Sequence, residues 1–128
     1  MKRNGMAIIK SPLLRTQADI DTEYEKMVFL KIQREETIIG SIRAYEANDI
    51  CHVGKLMVSP KYQNKGIGTA LLLHVETYFP TVEAYELFTG HRSGKNLHLY
   101  KKLGYAVSEN RQVSPSLTMV FLRKENRV

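Results

Sequence analysis

Two glycines sit two apart in "QNKGIG" (63–68). The stretch follows "KLMVSPKY" and leads into the apolar run "TALLLHVETYF". A strand that delivers the chain to a glycine-rich turn at a helix start makes an anion site. First-turn amides have no intrahelical acceptor, and the helix dipole favours negative charge. Glycine also lets backbone approach a ligand closely. Gln63 can donate from its side-chain amide, and Lys65 can add a positive charge on a flexible stem. The competing reading of these residues is a glycine turn that merely links strand to helix.

Two familiar phosphate patterns do not fit. A Walker A loop needs four residues between its glycines, whereas one residue separates Gly66 from Gly68 and Thr69 follows directly. The dinucleotide fingerprint would need glycine at position 71, which is Leu71. It also belongs to a parallel βαβ repeat, and here a hairpin leads in.

The context carries a resemblance. "LMVSPKYQNKGIGTALL" (56–72) resembles the acetyl-coenzyme A segment of the GNAT superfamily of N-acetyltransferases: strand, proline, Gln/Arg-x-x-Gly-x-Gly/Ala, then an apolar helix. Gln63, Gly66 and Gly68 fill its three fixed positions. "NLHLYKKLGY" (96–105) resembles the second GNAT segment, with an Asn, a Tyr four residues on and a Lys-x-Gly-aromatic ending. The motifs cover roughly 55–105, and the strand order extends the likeness to about 27–123.

The resemblance implies an acetyl-CoA-dependent enzyme in which an amine attacks the thioester directly and coenzyme A leaves as a thiolate. It implies that Gln63, Asn64, Lys65, Gly66, Ile67, Gly68 and Thr69 cradle the pyrophosphate. The third main strand should splay, so that backbone at Met57 and Val58 pairs with the pantetheine arm as an added strand would. Asn96 and Tyr100 share one helix face; Asn96 would contact the cofactor, and Tyr100 would both contact it and protonate the departing sulfur. No metal is implied. A non-catalytic acyl-CoA-binding sensor with the same fold is the alternative.

The attacking amine must be neutral, so a base has to take its proton. His52 is a candidate, histidine being the side chain suited to proton exchange near neutral pH. Glu46, at the end of a strand, and Asp49, in a turn, are others. His91 and His98 read as surface residues. Cys51 reads as a small buried residue rather than a nucleophile. Arg92 and Lys95 join Lys65 as cations that can meet phosphates.

Element signals place these residues. "MVFLKIQR" (27–34) and "IIGSIRAYEA" (38–47) read as strands around the tight turn at 35–37, and "ICHVGKLMVS" (50–59) as a third strand stopped by Pro60. Apolar residues at 67, 71, 75 and 78 predict a helix over 67–79, ended by Pro80. "VEAYELFTG" (82–90) predicts a strand. "SGKNLHLYKKL" (93–103) predicts a helix with Ser93 as N-cap and Gly104 as its stop. Strands over 105–109 and 116–124 close the order β-β-β-α-β-α-β-β around a loop containing Pro115. That is an α/β (α+β) fold, a mixed and mostly antiparallel sheet with helices on both faces. Met6–Ile9 is a candidate strand, and 16–26 a short helix capped by Thr16 or Asp19.

Length bounds the rest. The chain has 128 residues, enough for one domain, 1–128, with a modest core. Relatives that open with a strand and one or two helices have more chain before the hairpin than residues 1–26 supply here. The acceptor site is then open, completed by a second subunit in a homodimer, or altered. A net charge of +6 suits a polyanionic cofactor as well as a solvated surface. No helix-turn-helix, zinc-finger or RNA-binding pattern accompanies it, so no nucleic-acid partner is expected. No run approaches the ~20 apolar residues of a membrane span, and no signal peptide is read. The single cysteine suits a reducing, cytoplasmic setting. The expected partners are acetyl-CoA and an amine acceptor, whose identity the motifs leave open.

Overall fold

The computed structural model describes residues 6–10 and 26–126. Seven strands and two helices follow the predicted order. Strand β1 spans Met6–Lys10, β2 Lys26–Arg34, β3 Thr37–Ala47 and β4 Ile50–Val58. A 3-10 turn at Pro60–Tyr62 leads to helix α1, Ile67–Glu76. Strand β5, Ala84–Gly90, precedes helix α2, Gly94–Lys102, and β6 (Ala106–Ser114) and β7 (Leu117–Glu125) form the final hairpin. The helix expected within 16–26 lies outside the described residues.

The sheet runs β1-β2-β3-β4-β5-β7-β6. All neighbours pair antiparallel except β4 with β5, which run parallel. A parallel neighbour needs a crossover, and α1 supplies it; α2 carries the chain over β7 to β6 in the same direction along the sheet. Both helices therefore lie against one face. Leu71, Leu72 and Val75 of α1 and Tyr100 of α2 share one core with Val28, Leu30, Ile42, Ala44, Cys51 and Leu122 of the sheet. Of the helices expected on both faces, those among the described residues occupy this one.

Two boundaries differ from expectation. Helix α1 stops at Glu76, three residues before Phe79. Its last turn tightens instead, with Tyr78 and Phe79 amides bonding three residues back to Val75 and Glu76 (3.1 and 3.0 Å) and Thr77 Oγ1 donating to the His74 carbonyl (2.6 Å). Phe79 is thereby turned into the core, where it is 1% exposed. Strand β6 runs to Ser114, past the predicted end at 109. Its residues are mostly polar and almost all exposed, so no alternation of burial marks it as a strand. Its partner β7 supplies the order.

A packing contact also went unread. A Cβ on Gly40 of β3 would lie 3.0 Å from Ile67 and 3.1 Å from Leu71. Helix α1 thus rests directly on the β3 backbone, which fixes where its N-terminus emerges.

Candidate active site

The parallel pairing of β4 with β5 covers only Ile50–Ala84, Cys51–Tyr85 and His52–Glu86. Beyond those pairs the two strands part. On its other side β4 stays paired to β3, but Ser41–Met57 follows Arg43–Gly54, so β4 carries one extra residue there. Such a bulge bends a strand and re-aims its backbone. The expected splay at Met57 and Val58 has this physical form.

A cleft of about 790 Å³ opens beside the parted end, within the ~300–1,000 Å³ usual for small-molecule sites. Leu56, Met57 and Val58 of β4 form one wall. The starts of α1 and α2 form the others, through Gly66, Ile67, Gly68 and Thr69 and through Ser93, Gly94, Lys95 and Asn96. Neither helix has a side-chain cap. Ala70 bonds the Gly66 carbonyl at 3.0 Å and Leu97 bonds Ser93 at 3.0 Å, leaving the earlier first-turn amides of both helices for a ligand. Arg92, Lys95 and Lys102 line the cleft with His98, and no carboxylate does among the described residues. Two helix N-termini and three cations make a site for a polyanion.

Local backbone explains the glycines. Gly66 sits at φ 83°, ψ 6°, the left-handed region that glycine reaches without cost. Asn64 is also left-handed, at φ 63°. Gly68 is held by a close approach: a Cβ there would lie 3.2 Å from Leu99 of α2, with Leu56 and Val58 within 4 Å.

The predicted residues divide. Met57, Val58, Gln63, Asn64, Gly66, Ile67, Gly68, Thr69 and Asn96 all line the cleft. Gln63 also donates to the Val58 carbonyl (3.1 Å), tying the turn to the end of β4. Lys65 is exposed and outside the lining. Tyr100 lies behind the cleft wall, 5% exposed, tilted against Tyr105 with ring centroids 6.1 Å apart. Its hydroxyl has no hydrogen-bond partner among the described residues. Burial pushes its phenol above the ordinary range.

His52 and Glu46 fall on opposite faces. Glu46 follows the buried alternation of Ile42 and Ala44, beside Cys51, whose thiol is pushed up to about 12 by burial first and then by Glu76 and Glu46. His52 points to the face away from the helices, stacked on Tyr45 at 4.9 Å. Asp49 lies in the turn before β4, at the far end from the cleft.

Tyr62, Ser93, His98, Leu99 and Lys102 also line the cleft but were not assigned to it. Ser93, the expected N-cap of α2, occupies that position without making the cap bond and lines the cleft. A helical count from Lys95 finds three of these, since His98, Leu99 and Lys102 follow it three, four and seven residues on.

The fold and the cleft define a protein whose parted strands and two helix starts frame one basic cleft. The family model described as "Acetyltransferase (GNAT) family" matches residues 7–105, and the chain belongs to that family of acyltransferases. No curated protein matches the sequence. Among solved structures it is similar to a GNAT family acetyltransferase from Elizabethkingia anophelis with acetyl-CoA bound (20% identity, TM-score 0.75, covering 96% of this chain and 99% of that one). It is similar to an IAA acetyltransferase from Bacillus cereus (20%, 0.73, 94% and 99%). The ribosomal-protein-S18-alanine N-acetyltransferase of Escherichia coli is a further match (16%, 0.73, 93% and 82%). At such identities the likeness is one of fold.

Proposed function

We propose that the protein transfers the acetyl group of acetyl-CoA to a primary amine by direct attack. The observation that carries this reading is the cleft itself, framed by two uncapped helix N-termini and running along the end of β4 that has parted from β5. Acetyl-CoA supplies an acetyl group on a thioester. The amides from Gly66 to Thr69 and those of Gly94 and Lys95 suit its phosphates, with Arg92, Lys95 and Lys102 beside them. The parted backbone at Met57 and Val58 suits the pantetheine amides.

The amine nitrogen bonds the carbonyl carbon, the carbon–sulfur bond breaks, one proton leaves nitrogen and one reaches sulfur. The donor is Tyr100, a buried phenol kept protonated and with no hydrogen-bond partner among the described residues. For the base, His52 is favoured over Glu46, because it stands on the face that the cofactor cleft leaves free. The lone cysteine supports a cytoplasmic setting.

Calorimetry with acetyl-CoA, followed by an amine screen for released thiol, tests the reading. Absence of binding at high micromolar cofactor would remove its basis. Binding without thiol release from any amine would favour the sensor alternative, a reading to which the burial of Tyr100 behind the cleft wall lends weight.

A further inference from the structure

The helix side of the parted strands belongs to the cofactor cleft, so the acceptor's approach lies on the opposite face. There, one row of side chains crosses the opening. Register places Phe29 beside Arg43 and Arg43 beside Gly54, at the edge where β4 leaves β5. Across the gap on β5 stands Phe88, 58% exposed and tilted against Phe121 with centroids 5.4 Å apart. The pair leaves an exposed aromatic surface beside the opening, on which an apolar side chain can rest. A Cβ built on Gly54 meets nothing within 4 Å, so glycine there keeps a groove between the arginine and the aromatic pair.

Three arginines on this face differ in one respect. Glu109 holds Arg111 at 2.8 Å, and Glu83, Glu86 and Glu125 surround Arg123 at 3.2, 2.6 and 2.6 Å. Arg43 is exposed and has no carboxylate partner among the described residues. A guanidinium with five fixed donors is suited to a carboxylate. It repels an ammonium and favours the neutral amine that attack requires.

We infer that the acceptor is a small amino acid with an apolar, preferably aromatic, side chain. Its carboxylate meets Arg43, its side chain rests on Phe88, and its amine enters the opening over Gly54. Polyamines and other polycations are disfavoured by the same arginine. This inference rests on the amine-acetylation reading and narrows its substrate.

Binding separates the two claims without turnover. The protein is first titrated with coenzyme A, then the coenzyme A complex is titrated with L-phenylalanine, 2-phenylethylamine and spermidine. L-Phenylalanine should bind at least about tenfold tighter than 2-phenylethylamine, the worth of one charged contact, and spermidine should not compete. Arg43→Gln should erase that difference and leave coenzyme A affinity unchanged. Phe88→Ala should weaken both phenyl ligands alike. Equal binding of the two phenyl ligands to the wild type, or loss of coenzyme A affinity in Arg43→Gln, overturns the assignment while the transfer reading stands. Failure to bind coenzyme A at all overturns both.

Discussion

Tyr100 shows how far a motif reaches at the scale of one residue. Its spacing from Asn96 marked it, but only the packed structure says that its hydroxyl is buried without a partner among the described residues. Burial raises its phenol above the ordinary 10.0, so the donor form persists at least to that pH. Tyr100→Phe is expected to leave acetyl-CoA affinity intact and lower turnover by about 10²-fold, the low end of acid–base contributions. Thiol release against pH should show no loss of the donor below pH 10. An unchanged rate in the variant would end the assignment. Gly68 was legible as a phosphate glycine but not as a packing one, since Leu99 is 31 positions away in the chain and meets it only across the helix pair. Gly68→Ala should cost about 1 kcal/mol in urea unfolding, the low end of overpacking. Gly68→Glu should also abolish cofactor binding in calorimetry, by placing a carboxylate among the phosphates.

At the scale of elements, the ends of the two helices opposite the cleft are joined by a polar knot that no motif announced. Glu76, last residue of α1, is 9% exposed. It accepts from Tyr105 Oη (2.8 Å) and from Lys124 Nζ (2.9 and 3.1 Å). Lys124 also donates to the Leu103 carbonyl at the end of α2 (3.1 Å). Burial and the Glu76 carboxylate push the Tyr105 phenol well up, so it remains a donor. The knot holds the C-terminal ends of both helices and so sets how their N-termini frame the cleft. Its members lie 29 and 48 positions from Glu76, beyond any local pattern. Local signals placed the strands and helices; which ends would meet depended on the crossovers. Lys124→Met leaves a buried carboxylate with one donor and should cost about 3 kcal/mol in urea unfolding. Pairing it with Glu76→Leu should recover most of that loss, because removing both charges removes the desolvation as well. A double variant no more stable than the single would show that the knot contributes net stability.

For the whole molecule, the single cysteine reports on integrity. Cys51 is fully buried, and its thiol rises from 9.0 to about 12. Native protein should therefore ignore thiol reagents at neutral pH and react once unfolded in urea; rapid modification of native protein would contradict the packing. Because the folded value lies above the unfolded one, the unfolded chain loses this proton first as pH rises. Stability from this group is complete below about pH 9 and is lost as pH climbs toward 12. Among the described residues, the chain order of strands and helices was legible in the sequence because every element but β6 had its own period or breaker. The parting of the central strands was not, since "KLMV" reads as an ordinary buried strand. That parting has a further consequence. Strands β1 to β4 and strands β5 to β7 meet edge to edge through three rungs, and a thioester cofactor bound there as proposed would act as a splint between them. Ligand at a hundred times its dissociation constant adds about 2.7 kcal/mol to a fold that binds it only when native. In the cell, acetyl-CoA would then govern this enzyme's lifetime as well as its rate. Limited proteolysis should then cut the seam more slowly when acetyl-CoA is added, and equal rates would show that the three rungs hold without it.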